Sequence, residues 1–391
     1  MSEAFENIVI VGAKRTPIGA LLGELSSLSA SDLGAIAIKA AIEQSGIALD
    51  AVKWALMGNV LGAGQGQAPA RQAALKAGLS KHCQATTLNK MCGSGMQAVI
   101  MGRNAILAGE ADIVLAGGME SMSNAPFLSK THRKGSKYGH DKLYDHMALD
   151  GLEDAYKGKA MGVYADASAA EYGFSREAQD DYALETLTRA QMCDFSAEIA
   201  AVIIAGRSGE AIINTDELPR QARPEKIRTL KPAFGQGGTV TAANASGISD
   251  GAAALILMRE SAARTGGHEI LARIVSTSGY AHEPPLFTTA PVYAIKNAIA
   301  RAGWRISDVD LFEINEAFAV VPMIAMKDLG IGHDIINVNG GACALGHPIG
   351  ASGARIIATL IYAMGARGVK RGCASLCIGG GEATAVCLEI I

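Results

Sequence analysis

Short β-branched runs alternate with stretches of small and apolar residues at helical spacing along the first 120 positions. Ile8 to Val11 predicts a strand, Ala30 to Ser45 a helix, and Trp54 to Gly58 a second strand. Such alternation indicates parallel sheet joined by crossover helices, hence an α/β fold. Met96 to Leu107 then reads as a helix, and Ile113 to Ala116 as a strand apolar on both faces before Gly117-Gly118. Cys92 thereby falls in a turn that enters a helix.

The last third of the chain follows the same plan with different residues. Asp310 to Ile314 reads as a buried strand, Ala351-Ser352-Gly353 opens an apolar helix through Met364, and Cys373 to Ile378 predicts a strand ending in Gly379-Gly380-Gly381. We read this as a weak internal duplication. Two like halves facing each other would bring Cys92, His347 and Cys377 into one cleft. Small residues and buried strands recur in any α/β protein, so the pattern leans on the motifs below. Between the halves, residues 121 to about 245 change character: Lys, His and Gly crowd into Lys130 to Lys142, and a basic run follows at Arg220, Arg223, Lys226, Arg228 and Lys231. By itself such a run reads as a solvated face. The expected division is 1–120 with 246–270, an insertion over 121–245, and 271–391.

Composition narrows the class. A chain of 391 residues, 49% apolar with 46 glycines and few aromatics, is too long for one ordinary core and suits tightly packed α/β domains. Its formal net charge of −3 gives no global attraction to nucleic acid or anionic membranes. Seven cysteines without C-x-x-C pairs fit neither a disulfide framework nor a structural zinc site, and point to a reducing compartment. Met1-Ser2-Glu3 leads almost at once into Ile8-Val9-Ile10-Val11, leaving no room for a leader, and the final Leu388-Glu389-Ile390-Ile391 is not a peroxisomal signal. No apolar run reaches the roughly 18 residues of a membrane span.

Cys92 stands before Gly93-Ser94-Gly95, where unpaired N–H groups at a helix start would favour a thiolate and the glycines would let a substrate approach. The other cysteines, Cys377 apart, read as inert buried side chains. His347, in Gly346-His347-Pro348, can take and return a proton provided a partner orients its second nitrogen. Asn315 can hold a water or a thioester oxygen without adding charge. Cys377 offers a second thiol for proton transfer, and the N–H groups of Gly379 and Gly380 offer oxyanion donors. The eight histidines show no metal-ligand spacing, and Gly62-Ala63-Gly64-Gln65-Gly66 fails the dinucleotide pattern.

Together, Asn89-Lys90-Met91-Cys92-Gly93-Ser94-Gly95, Asn315-Glu316-Ala317-Phe318, Gly346-His347-Pro348 and Cys377-Ile378-Gly379-Gly380-Gly381 resemble the thiolases across essentially the whole chain. The resemblance implies a duplicated five-layer α-β-α-β-α fold with an inserted loop domain. It implies an acetyl-CoA C-acetyltransferase or 3-ketoacyl-CoA thiolase, with Cys92, His347, Cys377, Asn315 and Gly379 catalytic. It places CoA and substrate along Leu152, Met161, Arg220, Phe234, Ser246, Gly247, Phe287 and Phe318. Acyl-CoA and CoA would be the partners, with no resident cofactor, no metal and no nucleic acid, in a cytoplasmic homotetramer whose loop contact includes Lys130 to Lys142. The chain departs from the common short-chain pattern at Ala160 and Phe287, where many acetoacetyl-CoA thiolases have His and Met, and this leaves acyl length and branching open. A decarboxylating ketosynthase would need a second histidine where Asn315 stands. A Cys-His-Asn hydrolase is disfavoured by chain order. A silent acyl-CoA-binding relative is disfavoured because all four reactive side chains are present.

Overall fold

The computed structural model describes residues 6–135, 137–206 and 209–391; the opening Met1-Ser2-Glu3 lies outside them. From edge to edge the main sheet runs Leu311–Ile314, Arg371–Ile378, Glu382–Glu389, Ala272–Ala281, Ile8–Arg15, Ser249–Arg259, Ile113–Ser121, Trp54–Gly58 and Gln84–Leu88. The two-residue strand Gly19–Ala20 pairs off this path with Ser249–Arg259.

Strand pairing makes the duplication explicit. In the first half, Trp54–Gly58 lies parallel to both Gln84–Leu88 and Ile113–Ser121; the latter runs antiparallel to Ser249–Arg259, which runs antiparallel to Ile8–Arg15. In the second half, Leu311–Ile314 is parallel to Arg371–Ile378 and bridges in parallel to Ile336. Arg371–Ile378 then runs antiparallel to Glu382–Glu389, and that strand antiparallel to Ala272–Ala281. Order and sense are the same in both halves. They join where Ile8 to Ile10 pair antiparallel with Ile274 to Ala272. The sheet is therefore mixed, not parallel as the alternation alone predicts, because the opening strand sits between two antiparallel neighbours.

The period-2 pattern of the strands separates the layers. Ile8 and Ile10 enter a central core with Met96, Ile356 and Leu376, whereas Val9 and Val11 enter an outer core with Leu33 and Ile38. In the second half, Phe312 and Ile314 pack outward with Val292 and Ile295. The helix Ala30–Ser45 covers the first half and Ala290–Arg301 the second, while Ser94–Leu107 and Ser352–Arg367 pack on each other between them. This is α-β-α-β-α layering. The first helix is bounded by a capping box, Ser29 Oγ accepting from Asp32 N at 3.2 Å and Asp32 Oδ2 accepting from Ser29 N at 3.1 Å, and by Gly46 at φ 65°.

The central helices touch through backbone. A Cβ on Gly353 would lie 2.4 Å from Met96 N, and one on Gly95 2.8 Å from Ala354 N. Beyond Ser121, which ends the strand Ile113–Ser121, the segment to 245 stays outside the main sheet and includes two small hairpins, Phe127–Ser129 with Leu143–Asp145 and Val202–Gly206 with Gly209–Ile213, and the helices Met161–Tyr172 and Arg176–Met192. Among the described residues no helix is long and apolar enough to cross a membrane.

Close approach makes a testable contrast between two helical glycines. Gly95→Ala should destabilise the protein by about 1–3 kcal/mol through overpacking. Gly365→Ala, at an exposed position of Ser352–Arg367 where a Cβ meets nothing within 4 Å, should stabilise it by up to about 1 kcal/mol. Urea unfolding measures both, and equal effects would contradict the packing argument.

Candidate active site

Cys92 is set by a pinned turn. Met91 adopts φ 47°, Ser94 Oγ accepts from Lys90 N at 2.8 Å and donates to Met91 O at 2.7 Å, and Gly93 caps the Ser94–Leu107 helix. A Cβ at Gly93 would collide with Ile378 Cδ1 at 2.4 Å, so the turn lies directly on the strand that carries Cys377. Lys90 adds an ion pair to Glu382 across the same hairpin. That hairpin turns through Gly379 to Gly381, with φ 98° at Gly380 and 85° at Gly381, and brings the Gly379 N–H close enough to the Cys92 sulfur to favour its thiolate.

His347 arrives from the second half on a buried loop. Its N–H donates to Gly247 O at 2.9 Å, and Gly350, three residues on, packs against the turn after Cys92: a Cβ at Gly95 would lie 3.1 Å from Gly350 O. The ring is held on both sides. Nδ1 is 2.6 Å from Ser352 Oγ, and Nε2 is 3.4 Å from Asn315 Nδ2. Ser352 has one hydroxyl proton and donates it to Pro348 O at 3.0 Å, which assigns the remaining proton to Nδ1 and leaves Nε2 unprotonated, accepting from Asn315 Nδ2. Asn315 Oδ1 is buried without a hydrogen-bond partner in the described chain.

Two buried carboxylates frame the site. Glu120 accepts from Asn59 Nδ2 at 2.8 Å, Val60 N at 2.9 Å, Leu61 N at 3.1 Å and Gly350 N at 2.9 Å, so it ties a first-half loop to the His347 loop. Burial pushes its carboxyl up to about 7 against these donors. Glu316 accepts from Tyr182 Oη at 2.8 Å, Thr186 Oγ1 at 2.9 Å, Asn337 Nδ2 at 2.8 Å and Cys343 N at 3.0 Å. The Glu of the Asn-Glu-Ala-Phe motif thus braces the loop ahead of His347.

Burial overturns one expectation from the sequence. A helix start was expected to favour a Cys92 thiolate; instead burial pushes this thiol up to about 11, while the Gly379 N–H and its own N–H oppose the rise. Cys377 is likewise driven well above the usual thiol range by burial and then by the neighbouring Cys92. His347 is pushed down to about 3 by burial and then by Arg355. The resting site therefore holds two protonated thiols and a neutral imidazole.

Apolar side chains lead away from the sulfurs. Leu152 belongs to a cluster with Cys92, Met91 and Ile349, while Met161, Phe234, Phe287 and Phe318 share one with Cys377. The rings of Phe234 and Phe287 meet Phe318 edge-on at 6.0 and 6.1 Å. Ser246 N donates to Ala317 O at 3.0 Å, and Gly247 opens onto a cavity of about 370 Å³ with Leu218, Arg223, Lys226 and Leu230. Arg220 is not at that cavity; it pairs with Glu24 at 2.6 Å and lines a separate hollow. Sequence reasoning placed Arg223 and Lys226 in a basic run without assigning them to a site, and it left the partner of His347, Ser352, unnamed.

The fold and site define a class: a duplicated α/β protein with two thiols, an imidazole and a carboxamide gathered where its halves meet. Residues 8–261 match the thiolase N-terminal domain and residues 268–390 the thiolase C-terminal domain, so the chain belongs to the thiolase family. It is 47% identical to an acetyl-CoA acetyltransferase of Cupriavidus necator and 48% identical to one of Escherichia coli K12, each alignment covering 98% of this chain and 99% of the relative. The solved acetyl-CoA acetyltransferase of Syntrophomonas wolfei superposes with a TM-score of 0.95 at 37% identity, covering 98% of this chain and 99% of that one. Human mitochondrial 3-ketoacyl-CoA thiolase does so with 0.95 at 38%, covering 99% and 100%.

Removing the Ser352 hydroxyl should release the His347 tautomer. In ¹⁵N-histidine spectra, Ser352→Ala is expected to shift the population from Nδ1–H toward Nε2–H by about fivefold, the equivalent of one ordinary hydrogen bond of ~1 kcal/mol. An unchanged ratio would contradict the assignment.

Proposed function

We propose that this chain transfers acetyl groups between coenzyme A thioesters, joining two acetyl-CoA into acetoacetyl-CoA and CoA, and in reverse cleaving short 3-ketoacyl-CoA with CoA. The observation that carries this reading is Cys377 beside Cys92 and Asn315 beside His347, with Leu152, Met161, Phe234, Phe287 and Phe318 packed around the sulfurs. The relatives named acetyl-CoA acetyltransferase support it.

Chemistry follows from the resting protonation states. The Cys92 thiol attacks the acetyl-CoA carbonyl as Nε2 of His347 takes its proton, and the departing CoA sulfur is protonated by Cys377. S-acetyl-Cys92, an imidazolium and a Cys377 thiolate remain. Cys377 then removes a methyl proton from a second acetyl-CoA, whose enolate oxygen is held by the imidazolium and a water positioned by Asn315. The enolate carbon attacks the acetyl group, with the N–H groups of Gly379 and Cys92 receiving the oxyanion. Collapse expels the Cys92 sulfur, which recovers its proton from His347. Burial serves this sequence, since charges appear only as partners for one another.

For CoA, Leu152, Met161, Phe234, Ser246, Gly247 and Phe318 form the channel, within a covering unit over 121–245 between the halves 1–120 with 246–270 and 271–391. Arg223 and Lys226, in place of Arg220, take the nucleotide phosphates, a charge-assisted contact. Phe287, 2% exposed and edge-on to Phe318, closes the acyl end and favours short chains with graded tolerance of a 2-methyl branch, one methyl being worth about 1–3 kcal/mol. The reaction needs no resident cofactor or metal. A cytoplasmic location suits a thiol pair kept reduced.

Peptide mass spectrometry after incubation with acetyl-CoA should place one acetyl group on Cys92. Cys377→Ala should keep detectable acetyl exchange between CoA species yet lose carbon–carbon bond formation by roughly a hundredfold or more. Equal loss of both half-reactions in the folded variant would refute the divided roles.

Support for assembly comes from the Phe127–Ser129 and Leu143–Asp145 hairpin, which exposes Phe127, Leu143 and, between them, Tyr138. This apolar tip beside the basic Lys130 to Lys142 segment supports a homotetramer built from two dimers. Light scattering at micromolar concentration should give the tetramer mass, and a stable monomer would reject it.

A further inference from the structure

One face of the Ser352–Arg367 helix is polar although the layer around it is apolar. Ser352, Arg355 and Thr359, spaced three and four apart, form one buried stripe. Ser352 holds Nδ1 of His347, and Thr359 donates to Glu198 Oε1 at 3.1 Å, a carboxylate ion-paired to the buried Arg15. Between them Arg355 is 2% exposed, and its guanidinium makes no hydrogen bond within the described chain. Its contact is Glu313 Oε2 at 3.6 Å.

Glu313 lies on Leu311–Ile314, two residues before Asn315, whose N–H continues the ladder to Ser375 O at 3.0 Å. The alternation of a strand puts residues 313 and 315 on one face. Hence the two partners of the His347 ring come from two different elements, Asn315 from the strand and Ser352 from the helix, and those elements meet at one buried ion pair. Such a pair is a poor source of stability, because desolvation offsets its attraction and apolar replacement is often neutral or stabilising.

We propose that Arg355 and Glu313 are positioning residues, clamping the strand end that carries Asn315 to the helix start that carries Ser352 and so fixing the imidazole of His347 from both sides. This rests on His347 acting as the base of the reaction proposed above. The clamp also has an electrostatic side. Glu313, raised to about 8 by burial against the pull of Arg355, is faced further by Glu316, Glu198 and Arg367, and Arg355 by Arg15, Glu198 and Glu316. The guanidinium stays charged and, after burial, is the group that pushes the His347 ring down, keeping it unprotonated and able to accept a proton.

The test measures, on the full chain, the rate constant for S-acetylation of Cys92 by acetyl-CoA as a function of pH. Arg355→Met should slow acylation by roughly tenfold to a hundredfold, the scale of a misplaced catalytic group, with the apparent Kd for acetyl-CoA within about twofold of wild type. Its acidic limb should move up in pH, because the cation that disfavours imidazolium is gone, while Arg355→Lys should restore the wild-type limb. Where Arg355→Met fails to fold, the volume-matched double variant Glu313→Met/Arg355→Met is read in the same way. A folded variant with wild-type acylation, or one that is slowed without any movement of the limb, overturns the proposal. If the wild-type protein forms no S-acetyl-Cys92, the acyl-transfer reading fails instead. The clamp is then judged by a ¹⁵N titration of His347, which must show an upward shift in Arg355→Met and is refuted without it.

Discussion

The contact on which everything else depends is backbone against backbone at the centre of the molecule. Ser94–Leu107 and Ser352–Arg367 start beside one another because Gly95 and Gly353 leave no side chain between them. A side chain at either would push the helix starts apart. Cys92 stands two residues before one start and His347 five residues before the other, so the separation of the reacting groups is set by glycine packing. Glu120 reinforces this by binding amides from both halves with one carboxylate.

That closeness has an electrostatic consequence. Groups packed this deeply lose hydration, and each is pushed toward its neutral form: the thiols upward, the imidazole downward. The two thiols and the imidazole thus carry no charge at rest. In the reaction proposed above, developing charge finds fixed N–H groups at Gly379 and Cys92 and an amide at Asn315, which need no reorganisation when it appears.

Much of this was legible in the sequence, and the exceptions share a cause. Ala30–Ser45 and Trp54–Gly58 match the periodicity reading to the residue, the helix because Ser29, Asp32 and Gly46 bound it locally. Ser94–Leu107 begins two residues before the expected Met96, since Ser94 and Gly95 look like turn residues until the close approach of the second helix is known. The antiparallel sense of Ile8–Arg15 was invisible because its partners lie some 240 residues and more away. The motifs pointed to Cys92, His347, Asn315 and Cys377, and the structure brings these four together; their protonation states depend on burial, which no motif encodes. Ser352 escaped notice because its role needs the geometry of the loop from His347 to Ala351. Arg220 and Arg223, three residues apart in one basic run, face different hollows, a distinction that charge alone could not make.

The placement of the opening strand bears on how the protein is made. Ile8–Arg15 leaves the ribosome well before either of its neighbours, for it belongs in the middle of the sheet, between Ser249–Arg259 and Ala272–Ala281. At ~5–20 residues per second its first partner emerges roughly 10–50 s later. Until then an apolar strand, Ile-Val-Ile-Val at its start, has both edges open while the chain grows. The first half completes its sheet only once Ser249–Arg259 has emerged, and the other edge of the opening strand then waits for Ala272 to Ile274, so a late step in synthesis closes what the earliest strand began.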